Sequence, residues 1–300
     1  MRILGREWDY IATDSTTGPG GNDERMVYVC NTEKVWFRKI AGEIVLPKGQ
    51  TIMGTQKPAS LVREEAKAPR VAEGTTKAAK SKSNDAGDLQ FARTPFLVAF
   101  QSGWFRFSLC TVHIYYGAAS EPALSRRVNR QLVKFFADRQ DSESKQEKDR
   151  LGIVENYVLL GDFNVVRPDH KTMFALTDHG FAVPDAIDGD KVRTDTDHYY
   201  DQIATRVKDP LFKVLGGGLY DIYSQVFRDH ADDFAIYEGH MPKKDPEAKK
   251  PENDRRKYYK KWRTWQMSDH KPLWIAIGTD YADNYITGIT KLQPDAIRPL

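Results

Sequence analysis

The sequence predicts an α/β domain built on mixed β-sheets, and three observations carry that expectation. Two β-rich runs, PFLVAF (95–100) and FRFSLCTVHIYY (105–116), are joined by the turn-like QSGW, so they are placed to pair directly. The stretch EPALSRRVNRQLVKFFADR (121–139) carries Leu124, Val128, Leu132 and Phe135/Phe136 at helical spacing with arginines between them, the pattern of an amphipathic helix packed on a sheet. YVLL (157–160) is then a short, continuous apolar run of the length of a buried strand. Strands joined directly, alternating elsewhere with helices, give mixed sheets.

The remaining elements follow in chain order. MVYVC (26–30) and KVWFR (34–38) are β-rich, separated by NTE, and predict a hairpin; residues 40–46 add a further short strand. From Pro47 to Asp88 the chain becomes rich in Lys, Ala, Gly, Ser and Thr, with few large apolar residues after Val62. Such a segment buries too little surface to offset its ordering entropy, so 47–88 is expected to be a flexible surface insertion. Its lysines are mixed with acids, which weighs against a basic binding arm. Beyond YVLL, a second helix is expected around 169–178, and strands at YDQIATRV (200–207) and LWIAIG (273–278). Residues 279–300 form a C-terminal tail, and no internal repeat is visible.

Residues 241–263 are a second insertion. Ten Lys/Arg stand against four Asp/Glu there, with Tyr258, Tyr259 and Trp262 interleaved. Two readings stay open: a solvated loop or short helix, or a contact to a phosphate backbone through Arg255, Arg256 and Lys257 with stacking aromatics.

Bulk properties narrow the class. The chain of 300 residues is 40% hydrophobic and 29% charged, which suits a globular domain with a real core. A net charge of +3 gives no global field that would mark a nucleic-acid binder, so local charge has to carry that argument. Cys30 and Cys110 lie in apolar, strand-like runs and read as buried thiols. Two cysteines make no disulfide framework, and the first residues lack the apolar core of a secretory signal, so a reducing, cytoplasmic setting is expected. No apolar run approaches the roughly 20 residues of a membrane span.

Two motifs carry chemistry. Gly161-Asp162-Phe163-Asn164 follows directly on YVLL. An Asp and an Asn two apart at a strand end present two hard oxygens toward one point, which suits Mg²⁺ or a catalytic water; the plainer reading is an Asx-type turn closing the strand. Ser268-Asp269-His270 precedes the strand LWIAI. Its Asp offers another hard oxygen, and its His a group able to carry a proton near neutral pH.

Taken together, these motifs resemble the two C-terminal signatures of the endonuclease/exonuclease/phosphatase family, in its deoxyribonuclease I branch. Other pieces are similar in the same order. DERMVYVC (23–30) resembles that branch's Glu-Arg-aromatic strand, FARTPFLVAF (91–100) its Arg-x-Pro strand, TVHIYY (111–116) the strand bearing its first catalytic histidine, and YYDQIA (199–204) its Tyr-Asp-x-Ile strand. The resemblance covers most of 8–278 apart from the two insertions, which makes 1–278 one domain. It implies a four-layer αββα sandwich with two mixed sheets.

It also implies roles, residue by residue. Asp162 and Asn164 correspond to the pair that touches metal and scissile phosphate, and Asp269 to a metal-binding Asp. His270 matches a catalytic histidine oriented by Asp201; His113 matches the second, with Glu24 as its carboxylate partner. Arg93 matches an arginine near the substrate phosphate. The implied cofactor is Mg²⁺, with Mn²⁺ or Ca²⁺ as substitutes, and the implied partner is a nucleic-acid substrate.

One departure stands out. The family's first strand carries a metal-contacting Asn and its second a metal-binding Glu, both before the segment matched here. Glu33, Glu43, Glu64 and Glu65 lie in the wrong context to replace that Glu. The domain is therefore expected to be N-terminally incomplete. The leading expectation is a metal-dependent nuclease; the alternatives are a lipid or inositol-phosphate phosphodiesterase or phosphatase on the same fold, and a catalytically impaired binding module.

Overall fold

The computed structural model describes residues 3–15, 24–47, 50–52, 54–55, 91, 93–114, 123–147, 155–189, 192–194, 198–242 and 255–292. Eleven strands are described: β1 (Trp8–Ala12), β2 (Val27–Asn31), β3 (Trp36–Glu43), β4 (Gln50–Thr51), β5 (Gly54–Thr55), β6 (Phe96–Ser102), β7 (Phe105–His113), β8 (Tyr157–Asp162), β9 (Asp201–Arg206), β10 (Val214–Leu219) and β11 (Leu273–Ile277). The described α-helices are α1 (Ala123–Glu147), α2 (Lys171–Leu176), α3 (Ala231–Tyr237), α4 (Arg255–Gln266) and α5 (Ala282–Leu292). Among the described residues no helix is long and apolar enough to cross a membrane.

The centre is a five-stranded sheet in the order β3-β6-β7-β8-β9. β7 and β8 run parallel while the other neighbours are antiparallel, so the sheet is mixed, as the sequence predicts. A parallel pair needs a crossover, and α1 lies within the connection between those two strands. β6 and β7 form the expected hairpin about Gly103, whose φ of +53° places it in the left-handed region; a Cβ there would fall 2.5 Å from the Thr279 carbonyl oxygen.

The alternation of β8 sorts its side chains between two cores. Tyr157 and Leu159 join the main core with Val128, Leu132 and Phe136 of α1, while Val158 and Leu160 face the other side. On that other side β1–β2 packs through Met26 and Tyr28 onto Phe96, Val98 and Phe100, and β10–β11 packs through Leu219, Leu273 and Ile275 onto Val158 and Ile203. Helices, the large sheet and two small antiparallel sheets thus stack in layers. The second β layer consists of two separate strand pairs rather than one mixed sheet, and Tyr10, Val27, Val29, Leu215 and Trp274 on the small sheets are exposed.

The buried face of α1 is wider than its apolar stripe. Ser125, Asn129 and Gln140 are fully buried beside it. Gln140 donates to the carbonyls of Glu155 and Arg206, and Asn129 to that of Phe163, so polar residues of this helix satisfy carbonyls just before and just after β8 and at the end of β9.

Several sequence expectations are corrected. Residues 26–30 and 34–38 do not form a hairpin: β2 pairs with β1, and β3 with β6. A turn closed by Val35 N–H on the Asn31 carbonyl (2.9 Å) passes the chain from one sheet to the other, because Met26 and Tyr28 are drawn onto the face of the large sheet. Residues 40–43 continue β3 beyond a bulge at Lys39 (φ +60°) rather than forming a new strand. The insertion 47–88 lies mostly outside the described residues. Of its described residues, β4 pairs with β5, and the intervening Ile52 is 4% exposed in the main core. The tail from 279 begins with α5.

The register of the large sheet positions the site. His113 at the end of β7 lies opposite Asp162 at the end of β8, and Asp162 opposite Asp201 at the start of β9. Neighbouring strands stand about 4.8 Å apart, so three candidate site side chains form one row across the edge of the sheet.

Candidate active site

The Gly-Asp-Phe-Asn turn is built from four separate local requirements. Gly161 has φ +124°, and a Cβ would lie 2.1 Å from the Val112 carbonyl oxygen, so only glycine lets β8 approach β7 this closely. Asp162 follows at the row. Phe163 turns inward, is fully buried, donates its N–H to the Tyr200 carbonyl (2.8 Å) and accepts from the buried Asn129 amide (3.0 Å). Asn164 adopts the left-handed conformation (φ +51°), which Asn tolerates better than most side chains. Its backbone N–H donates to Asp162 Oδ1 at 2.8 Å and its side-chain amide to the Ile114 carbonyl, so the end of β8 is latched to the end of β7.

On one side of Asp162 stands the first histidine. His113 Nδ1 lies 2.7 Å from Glu24 Oε2, and its Nε2 lies 3.5 Å from Asp162 Oδ2. Arg93 is buried behind Glu24, with Nη2 3.7 Å from Glu24 Oε1. The order Arg93–Glu24–His113–Asp162 places the arginine against the carboxylate that holds the histidine.

On the other side stands the second histidine. His270 Nδ1 lies 2.6 Å from Asp201 Oδ2. The Tyr200 ring is stacked between His198 (4.6 Å between centroids) and His270 (6.0 Å), which limits how the imidazole can turn. Ser268 closes the loop by accepting the His270 N–H on Oγ (3.0 Å), while its carbonyl accepts the Tyr223 hydroxyl (2.5 Å). Thr194, 1% exposed, ties the two halves together. Its Oγ1 accepts the Asp201 N–H (3.2 Å) and its carbonyl accepts the Lys271 N–H (2.9 Å).

The electrostatics differ across the row. Burial raises the pKa of Asp162 above the ordinary carboxylate value; the Asp201 charge adds to this, while the Asn164 N–H and the two histidines oppose it. His270 is raised from 6.5 to about 9, chiefly by its hydrogen bond to Asp201, with burial opposing and the charges of Asp201, Asp162 and Asp269 reinforcing. At neutral pH it is an imidazolium.

The expected metal set is only partly brought together. Asp162 is part-buried beside another carboxylate, a setting that an added cation relieves. Asn164 is 6% exposed, with its amide N–H group committed to Ile114. Asp269 is exposed on the loop, where its charge acts on His270 and Tyr223. Among the described residues no group of three or more His, Cys, Asp or Glu side chains is arranged to hold a metal. Oxygen donors of this kind are those Mg²⁺ takes: one or two carboxylates, with water and phosphate oxygens completing the shell.

The basic segment folds otherwise than its stacking reading expects. Tyr258 and Tyr259 on α4 are 6% and 1% exposed and form a small core with Met241, flanked by Phe227, Phe234, Tyr237 and Trp262. These tyrosines are packed, not presented. Arg255 is tied to the Pro242 and Glu238 carbonyls, and the Arg256 guanidinium sits 5.8 Å from the Phe234 ring centroid. Lys257 lies on the exposed face of α4, and Lys260 pairs with Asp229 at 2.7 Å. Residues 243–254 lie outside the described residues.

Asn129, Thr194, Tyr200 and Tyr223 are absent from the sequence-derived site. Asn129 left a faint signal, a polar residue beside an apolar helical stripe; the others act through contacts distant in sequence.

No protein-family profile matches the chain, and no curated protein matches it. Solved structures do. A mannosyl-6-phosphatase from Bacteroides thetaiotaomicron is 15% identical, with a TM-score of 0.43 over 92% of this chain and 79% of that one. TDP2 from D. rerio, complexed with a single-strand DNA product, is 11% identical, with a TM-score of 0.38 over 70% of this chain and 68% of that one. An endonuclease/exonuclease/phosphatase family protein, also from B. thetaiotaomicron, is 18% identical, with a TM-score of 0.45 over 93% of this chain and 78% of that one.

Proposed function

We propose that the chain is a divalent-metal-dependent phosphodiesterase acting on nucleic acid. The observation that carries this reading is the pair of His–carboxylate couples, Glu24–His113 and Asp201–His270, flanking Asp162 on a single register row. Hydrolysis of a phosphodiester requires a base for water, positive charge at the phosphoryl oxygens and an acid for the leaving oxygen. With Nδ1 of His113 engaged by Glu24, its Nε2 is the ring atom placed to take the proton of the attacking water. His270, held as imidazolium by Asp201, has Nε2–H to give to the leaving oxygen as the phosphorus–oxygen bond breaks. Asp162, with Asn164 two residues beyond it and Asp269 next to His270 in the chain, would hold Mg²⁺ or Mn²⁺, which when bound neutralises phosphoryl charge and lowers the pKa of a bound water. Tyr200 and Thr194 keep the second couple in register.

A lipid or inositol phosphate would use the same couples, so a substrate panel decides between them. The test is hydrolysis of plasmid DNA, single-stranded RNA, bis(p-nitrophenyl) phosphate and an inositol phosphate with Mg²⁺ and with EDTA. Cleavage of the nucleic acids and the diester that stops on chelation is the expected result. Hydrolysis of the inositol phosphate alone overturns the nucleic-acid assignment, and no metal-dependent turnover of any phosphoester overturns the enzyme reading.

A further inference from the structure

A cavity of about 400 Å³ opens directly beside the Asp201–His270 couple. Leu160 of β8, Ile203 of β9 and Leu273 of β11 line it from the sheets, and Ile222 and Met267 line it from outside the sheets. Its polar lining includes Asp201, His270 and Lys271, the last 3.8 Å from Asp221. Among the described residues these apolar side chains have no matching cover. Leu160 and Leu273 are only half-buried although they pack against the same small core, and Met267 is 49% exposed.

Proton transfer needs none of these apolar groups. Whatever reaches His270 with its phosphate has an apolar surface within a few ångströms, and that surface discriminates among ester groups. An apolar cavity of about 150 Å³ already holds benzene, so this one has room for a substituted or fused ring. The walls of the pocket are mostly apolar, with a few polar groups converging on it.

We propose that this cavity is a specificity subsite taking a planar ring, aryl or heteroaryl, carried by the phosphate ester that His270 acts upon. The assignment rests on the reading of the site as phosphoester-handling, and it makes Ile222 and Met267 specificity-determining residues. Ile222 opens a 3-10 turn and Met267 follows directly on α4, both outside the sheets, so the subsite can be altered with less disturbance to the row of catalytic side chains.

The test uses two non-hydrolysable probes, phenylphosphonate and methylphosphonate, bound to the full chain and measured by calorimetry or by chemical-shift titration. Burial of a ring is expected to favour phenylphosphonate by about tenfold or more. Ile222→Trp, and independently Met267→Phe at its half-exposed position, fill the cavity and should bring the ratio of the two dissociation constants toward one. Equal affinities in the parent chain, or a ratio that both substitutions leave unchanged, overturn the subsite. Because the readout is binding, it separates from the enzyme reading: a ring preference without any phosphodiester turnover sinks the proposed hydrolysis and leaves the subsite standing. Deoxythymidine 5′-phosphate against deoxyribose 5-phosphate then tells a nucleobase from a ring bonded directly to the phosphate.

Discussion

The Nε2 atom of His113 lies 3.5 Å from Oδ2 of Asp162, and these two residues close adjacent parallel strands at the same level. The contact places an imidazole against the carboxylate proposed to hold a metal. Glu24 holds the ring from its far side. The proposed base and the carboxylate proposed to hold a cation are thus positioned by strand pairing itself, with Glu24, ahead of β2, as the non-sheet member of that group of three.

His270→Ala should lower single-turnover hydrolysis by at least about 100-fold, because a positioned acid contributes on that order to a proton-transfer step. Affinity for substrate should change little, since the group acts on the transition state more than on the bound ground state. Asp201→Asn should cost less, because the imidazole remains while its orientation and charge are weakened. Rapid-quench kinetics at saturating substrate checks both; a variant with intact turnover and lost binding would argue for a binding module.

The same couple makes stability depend on pH. The folded state raises His270 from 6.5 to about 9, so it holds the proton more tightly than the unfolded chain does. The stabilisation is complete below about 6.5 and is lost as pH rises through about 9. Thermal unfolding of chelator-treated protein across that window should show a falling midpoint, with a shallower fall for His270→Gln. Parallel curves for the two proteins would show that the couple contributes nothing to folding.

Gly161→Ala should be among the most damaging single changes in the chain. A methyl group at φ +124° and 2.1 Å from the Val112 carbonyl cannot be placed without moving β7 or β8. A cost above about 3 kcal/mol in urea unfolding is expected from combined strain and clash. Gly42→Ala is the comparison, because a Cβ there meets nothing within 4 Å; it should stay within about 1 kcal/mol of the parent.

Thr194→Val keeps shape and removes the hydroxyl that accepts the Asp201 N–H. A buried donor left unpaired costs about 1–3 kcal/mol. Turnover should fall with KM nearly unchanged, because the loss acts through the placement of Asp201 and His270. A fall in stability with unchanged turnover would reduce Thr194 to a structural role.

The two signature turns were legible because their chemistry is local. Gly161 through Asn164 and Ser268 through His270 each form one turn, and turns are written in neighbouring residues. The strands β6 to β9 and the helix α1 were legible from periodicity. Pairing was not: MVYVC has the same character whether its partner is β1 or β3, and the choice is made by Met26 and Tyr28 finding the face of the large sheet. Tyr258 and Tyr259 misled in the same way. Basic neighbours suggested a stacking surface, but Met241, Phe227, Phe234 and Tyr237 supply a core that local composition does not reveal. Thr194 and Asn129 bond to residues far along the chain or on another element, and no spacing rule announces them.

The row His113–Asp162–Asp201 has a consequence for how such a chain can vary. Side chains alternate along a strand, so one residue inserted into or deleted from β8 would bring Phe163 or Gly161 to the row in place of Asp162 and turn the core-facing set outward. Length changes inside β7, β8 or β9 therefore strike catalysis and folding in one event, and no compensating substitution elsewhere restores both. Length changes in the connections between these strands leave the row aligned. Descendants of this sequence are free to lengthen and shorten at the joints while the paired segments keep a fixed residue count.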